Sequence, residues 1–156
     1  LYVTIQAQTL ELMHELQKDL GMSIILITHD LGVIARMAHD VAVMYAGQVI
    51  EAGPVDDIFY RSSHPYTLGL RHAMPTNIEG SSRKLKPIDG SPPDLFKPPA
   101  GCGYYARCPY AMSMCEKHNP EEFTISGKHF ARCWLQHPSA PKVEGELFQI
   151  GHTENA

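Results

Sequence analysis

The run Ser23-Ile24-Ile25-Leu26-Ile27-Thr28-His29-Asp30 decides the fold class. Ser23–Thr28 is apolar or β-branched and does not alternate with polar residues, which predicts a strand buried on both faces, as in a parallel sheet covered by helices. Upstream, Thr4–Leu20 reads as an amphipathic helix. Ile5, Leu12, Met13, Leu16 and Leu20 share one face, and Gln6, Gln8, Glu11, Glu15 and Gln17 lie largely opposite. Thr4 is placed to cap this helix, and Gly21 to take the left-handed position that ends it. Downstream, Asp30 is placed to cap a second helix over Leu31–Ala38.

Farther out, Val41–Tyr45 and Gln48–Glu51 read as a hairpin around Ala46-Gly47, and Pro54 opens a short helix over Val55–Tyr60. Helix, buried strand, helix and strand form the distal part of an α/β domain. One buried strand and a hairpin do not cover both their faces, so this segment is expected to pack on strands outside the sequence, and to self-associate without them. Past Tyr60 the character changes. Ser63-His64-Pro65-Tyr66-Thr67 opens a helix with Pro65 in its first turn, and Met74-Pro75 closes it. Thr76–Pro99, rich in Pro, Gly, Ser and Lys, reads as an extended connector in which Arg83, Lys84 and Lys86 are solvated charges. Ser139–Ala156 reads as a weakly structured polar tail, with Glu146–Ile150 a candidate edge strand.

All four cysteines fall between the connector and the tail: Cys102, Cys108, Cys115 and Cys133, spaced C-x5-C-x6-C-x17-C. Three thiols in one loop and a fourth returning later suit a chain wrapped around a metal centre, either a [4Fe–4S] cluster or tetrahedral zinc. Structural zinc usually takes close cysteine pairs, and there are none, so the spacing favours the cluster. His118, His129 and His137 keep a Cys3His zinc site open, and two disulfides or four free thiols are the plain alternatives. A short helix is expected over Tyr110–Lys117, and Tyr104, Tyr105 and Trp134 are candidates to shield the centre. With little apolar core nearby, metal–thiolate bonds are expected to staple the module, so the centre is read as structural rather than redox-active.

The 156 residues are 44% hydrophobic and 19% charged, with formal net charge −4. This mildly acidic balance gives no electrostatic ground for nucleic-acid binding. No window reaches the eighteen or so apolar residues of a membrane-spanning helix. No secretory signal is visible, which favours a reducing compartment and metal over disulfide. An opening without Met, directly into helix, is what a fragment would show.

Several stretches together resemble one family. V-T-I-Q-A-Q, G-M-S-I-I-L-I-T-H-D-L-G-V-I-A, V-A-V-M-Y-A-G and E-A-G-P-V are similar to the distal half of an ABC transporter ATPase subunit. H-P-Y-T at His64–Thr67 and the cysteine module resemble the C-terminal extension of the oligopeptide/dipeptide importer ATPases. The resemblance covers about residues 1–135. It implies the distal part of an ABC-type P-loop ATPase domain over residues 1–60, a C-terminal extension with its cysteine cluster over 61–135, and a polar tail over 136–156. It also implies that His29 is the switch histidine, which contacts the γ-phosphate of ATP and helps position the attacking water when two subunits close. The implied partners are a second ATPase subunit and the transmembrane permease subunits, at the cytoplasmic face of the membrane. ATP and Mg²⁺ belong to the complete subunit only.

Two departures from the family matter. Tyr2 stands where the family has the Asp of its L-D-V-T stretch, in a loop that communicates across the dimer. No G-x-x-x-x-G-K-[ST], signature Ser-Gly-Gly or acidic magnesium-binding strand end occurs in these residues. This chain alone is therefore expected neither to bind ATP tightly nor to hydrolyse it. The competing readings are a stand-alone metal-binding docking module without an ATPase role, and an electron-transfer protein with the cluster as its active group.

Overall fold

The computed structural model describes residues 2–74 and 87–151, with side chains from residue 8 onward. Arg83, Lys84 and Lys86 lie outside the described residues. The chain divides into two compact units, 1–39 and 40–156.

In the first unit, α1 (Tyr2–Leu20) is the expected amphipathic helix. Gly21 follows it with φ +61, the left-handed conformation that glycine adopts without strain. Asp30 caps α2 (Leu31–Met37): its Oδ1 accepts the N–H groups of Gly32 at 2.9 Å and Val33 at 3.2 Å.

The strand expected over Ser23–Thr28 does not form. Residues 22–28 carry no ladder, and Ile25 and Ile27 are 92% and 94% exposed. A strand exists only through a hydrogen-bonded neighbour, and no other strand is described in this unit. Leu12, Leu16 and Leu20 on α1 are likewise exposed. Among the described residues the apolar pattern is therefore present but largely exposed, with Met13, Ile24 and Leu26 only half-buried.

The second unit holds the sheet, and the sheet is antiparallel throughout, in the order β1-β2-β4-β3. The buried parallel strand expected over Ser23–Thr28 is no part of it. β1 (Asp40–Tyr45) and β2 (Gln48–Pro54) form the predicted hairpin. Ala46 (φ 48) and Gly47 (φ 79) make a two-residue turn with both φ positive, the type I′ geometry whose twist suits paired strands. β1 alternates cleanly, with Val41, Val43 and Tyr45 inward.

β3 (Phe123–Ser126) and β4 (His129–Ala131) were not anticipated. β4 pairs with β2 through Glu51 opposite Ala131 and Ala52 opposite Phe130, and Arg132 N–H donates to Ile50 O at 2.7 Å. The sheet thus runs across the division expected at residue 60. Close strand approach here requires Gly53, where a Cβ would lie 2.9 Å from His129 Cα.

α3 (Val55–Tyr60) and α4 (Pro65–His72) follow as predicted, with Pro65 in the first turn of α4. α5 (Ser113–Lys117) is shorter than the helix expected over Tyr110–Lys117. Single 3-10 turns occupy Tyr105–Arg107 and Trp134–Gln136.

Residues 139–151 of the polar tail are packed against the rest of the second unit. Leu147 and Gln149 are buried, and Leu147 joins Leu68, Cys133 and Leu135 in one apolar cluster. Gln136 Nε2 donates to Ser63 O and Phe148 O, each at 2.7 Å. Gln149 Nε2 donates to Leu135 O at 2.9 Å. Glu146–Ile150 forms no strand, because buried glutamine side chains rather than a ladder satisfy its surroundings.

Candidate metal centre

The cysteine loop begins at a glycine that nothing else can replace. Gly101 is buried, and a Cβ there would overlap Cys115 O and the Glu116 carbonyl. This close approach lets Cys102 N–H donate to Cys115 O at 2.7 Å, which closes the loop on itself. Cys108 ends the 3-10 turn Tyr105–Arg107, its N–H donating to Tyr105 O at 3.2 Å. Cys115 lies buried on α5. Cys133 enters after β4 and sits in the apolar cluster.

Backbone turns therefore bring four thiols from four local settings to one place. All four line a single cavity, together with His64, Pro65, Tyr104, Tyr105, Tyr110, Pro120, Trp134 and Leu135. The three aromatic residues proposed as a shield are among them. Tyr104 is 3% exposed, with its ring packed 5.2 Å from Tyr45 and 5.4 Å from Tyr66. Trp134 is fixed by donating Nε1–H to His118 O at 2.8 Å.

The four cysteines are free thiols, with no disulfide among them. Burial pushes the Cys102 thiol up, the Cys108 thiol up to about 12, and the Cys133 thiol well above its ordinary value. In each, the charged form of neighbouring thiols adds to the effect. Without a cation in the cavity these groups stay protonated and unreactive; a thiolate-bound metal reverses that balance.

Among the described residues, no three His, Cys, Asp or Glu side chains lie close enough together to share one metal ion. The histidines considered for a Cys3His site do not line the cavity. His118 and His137 are exposed, and His129 is held elsewhere by Glu51. The module does have an apolar core, of Leu68, Leu135 and Leu147 with Tyr110, Met112 and Val143.

The sequence reading missed two residues. Glu51 is fully buried on β2, yet its carboxylate is satisfied three times. Oε1 accepts Ser63 N–H at 2.7 Å and lies 2.8 Å from His129 Nε2, and Oε2 accepts His64 N–H at 3.0 Å. His129 Nδ1 has no hydrogen-bond partner and stands 3.9 Å from Asp57 Oδ2. The legible signal was a carboxylate on an otherwise apolar strand, V-I-E-A.

The second residue is His64, 1% exposed. Its Nδ1 accepts Tyr66 N–H at 3.0 Å and so caps α4. Burial lowers its pKa to about 3, so the ring is neutral, and with Nδ1 accepting, the ring proton sits on Nε2. That Nε2 is buried without a partner, a state that costs about 1–3 kcal/mol. The H-P-Y-T stretch marked the helix start but did not show that its histidine faces the thiols.

His29 belongs to the first unit. It is exposed and immediately precedes the capping Asp30, whose N–H donates to Thr28 Oγ1 at 3.0 Å. Among the described residues no helix is long and apolar enough to cross a membrane.

Residues 50–115 match the pattern of the oligopeptide/dipeptide transporter C-terminal region. The chain is 54% identical over 142 residues to the oligopeptide transport ATP-binding protein OppD of Bacillus subtilis, covering 91% of this chain and 40% of that protein. It is 50% identical over 141 residues to the dipeptide transport ATP-binding protein DppD of Lactococcus lactis, covering 90% of this chain and 40% of that protein. With the DppD of Bacillus subtilis it is 52% identical over 134 residues, covering 86% of this chain and 40% of that protein. The chain thus spans about 40% of the length of these curated relatives.

Proposed function

We propose that this chain, which belongs to the ATP-binding proteins of oligopeptide/dipeptide ABC transporters and carries a C-terminal part of one, is a portion of the ATP-hydrolysing subunit that powers peptide import. Its place is then the cytoplasmic face of the membrane, against permease subunits and a second ATPase subunit. Similarity over nine-tenths of the chain supports this reading.

In the complete subunit, His29 is the residue that contacts the γ-phosphate of bound ATP and orients the attacking water. The Asp30 cap and the Thr28 hydroxyl fix the backbone on which His29 stands. An exposed imidazole at the start of a helix is free to meet a phosphate brought by the rest of the protein.

For the module, the carrying observation is the convergence of four thiols on one aromatic-walled cavity. The reading is a structural [4Fe–4S] cluster held by Cys102, Cys108, Cys115 and Cys133. The donor set fits: four soft sulfurs, an apolar shell and no carboxylate lining it. When bound, the cluster supplies metal–thiolate bonds tying the 102–115 loop to Cys133.

The test is iron, zinc and acid-labile sulfide analysis of anaerobically purified protein, with an absorption spectrum. About four irons and four sulfides per chain, with broad absorbance near ~400 nm, is the expected result. One zinc without sulfide replaces the cluster with a zinc staple. No metal and four titratable thiols overturn the metal reading.

A further inference from the structure

We propose that His64 is a positioning residue of the thiolate centre, its Nε2–H donating a hydrogen bond to a sulfur of the group held by Cys102, Cys108, Cys115 and Cys133. The proposal rests on the iron–sulfur reading above and extends it to a residue outside the ligand set.

Three observations carry it. First, His64 lines the same cavity as the four cysteines. Second, its hydrogen-bonding roles are assigned by its neighbours. Tyr66 N–H occupies Nδ1 at 3.0 Å, so the ring proton is on Nε2, and Nε2 has no acceptor although the side chain is buried. Third, the ring is held in place. Its backbone N–H is bound by Glu51 Oε2 at 3.0 Å, the following Pro65 restricts the chain, and Tyr104 packs 5.9 Å away, ring to ring.

A buried donor without an acceptor is unusual unless something else completes it. No cysteine sulfur meets Nε2 at hydrogen-bond geometry, so its acceptor would have to be a sulfur of the bound group itself. A thiolate or bridging sulfide carries negative charge and accepts a charge-assisted bond. Such a bond grows stronger as the sulfurs become more negative, so it favours the reduced state and raises the reduction potential. Glu51 then acts at one remove, by fixing the backbone of His64.

Two substitutions separate this role from helix capping. His64→Asn places Oδ1 where Nδ1 accepts Tyr66 N–H and removes the Nε2 donor. His64→Gln places an amide N–H near Nε2 and gives up the cap. Redox titration of the full chain, loaded with cluster, is expected to show a lower midpoint potential for His64→Asn and a value near that of the unaltered protein for His64→Gln. Equal potentials in all three overturn the proposal. If neither variant folds, pulsed electron paramagnetic resonance on the reduced, unaltered protein with ¹⁵N-histidine decides it. A nitrogen coupling that changes with the label supports the bond, and no such coupling overturns it. Unaltered protein lacking iron and sulfide removes the cluster reading and this proposal together. Loaded protein insensitive to His64→Asn removes this proposal alone.

Discussion

Glu51 Oε1 lies 2.8 Å from His129 Nε2, and both side chains are fully buried. The pair joins β2 to β4 across 78 residues of sequence. It lies in the sheet that carries Cys133 toward the other thiols, and the same carboxylate holds the backbone of Ser63 and His64. One buried acid thus ties the hairpin, the start of α4 and the returning strand into one body.

Glu51→Gln keeps the shape and removes an acceptor. One amide N–H₂ must then face a backbone N–H or the imidazole, leaving a buried donor unpaired. The expected loss is about 1–3 kcal/mol in urea unfolding at an unchanged m-value. A loss below about 0.5 kcal/mol would mean the network relaxes at no cost.

Gly101→Ala tests the loop closure. Its Cβ has no room beside the Cys115 and Glu116 carbonyls, and neither group is the end of a flexible side chain. The hydrogen bond from Cys102 N–H to Cys115 O must open, at about 1–3 kcal/mol. Iron bound per chain should fall by half or more, and full loading with unchanged stability would show that the approach is not required.

Buried thiols give the metal-free chain a sign-definite pH dependence. Cys108 is pushed from 9.0 to about 12 in the folded state, so the folded state holds its proton more tightly than the unfolded one. Stability is therefore complete below about pH 9 and lost as pH climbs toward about 12. Metal-loaded protein, whose thiolates are already charged, should lack this decline. Thermal melts across that range, with and without metal, make the comparison.

ATP handling separates the chain from the complete subunit. The 156 residues contain no phosphate-cradling loop, so millimolar ATP should leave their melting temperature unchanged. In the complete subunit, His29→Ala should lower ATP hydrolysis by about 10²-fold or more with little change in ATP binding, as loss of a residue that positions the attacking water. Because His29 is exposed, folding should not change. An unaltered hydrolysis rate would remove the switch role.

The local elements were legible in sequence wherever the signal was local. Ala46-Gly47, Asp30, Pro65 and Gly21 each impose a backbone geometry through their own chemistry, and the structure has a turn, a cap, a helix start and a helix end at those positions. The cysteine spacing likewise selected four residues that do converge on one cavity. Ser23–Thr28 shows the limit of such reading. Its composition sets a preference, but a strand needs a partner, and the preference stays unfulfilled without one.

What only the tertiary structure decided are the pairings between distant residues. β4 joining β2, Glu51 meeting His129, Gln136 bonding Ser63 and Phe148, and His64 facing the thiols all bring together side chains far apart in the sequence. No periodicity or spacing encodes these contacts, because each depends on which buried polar group remains unsatisfied once the sheet and helices have packed. The sequence by itself determined the turns, caps, helices and thiol set. Packing decided which acid, which histidine and which strand would complete them.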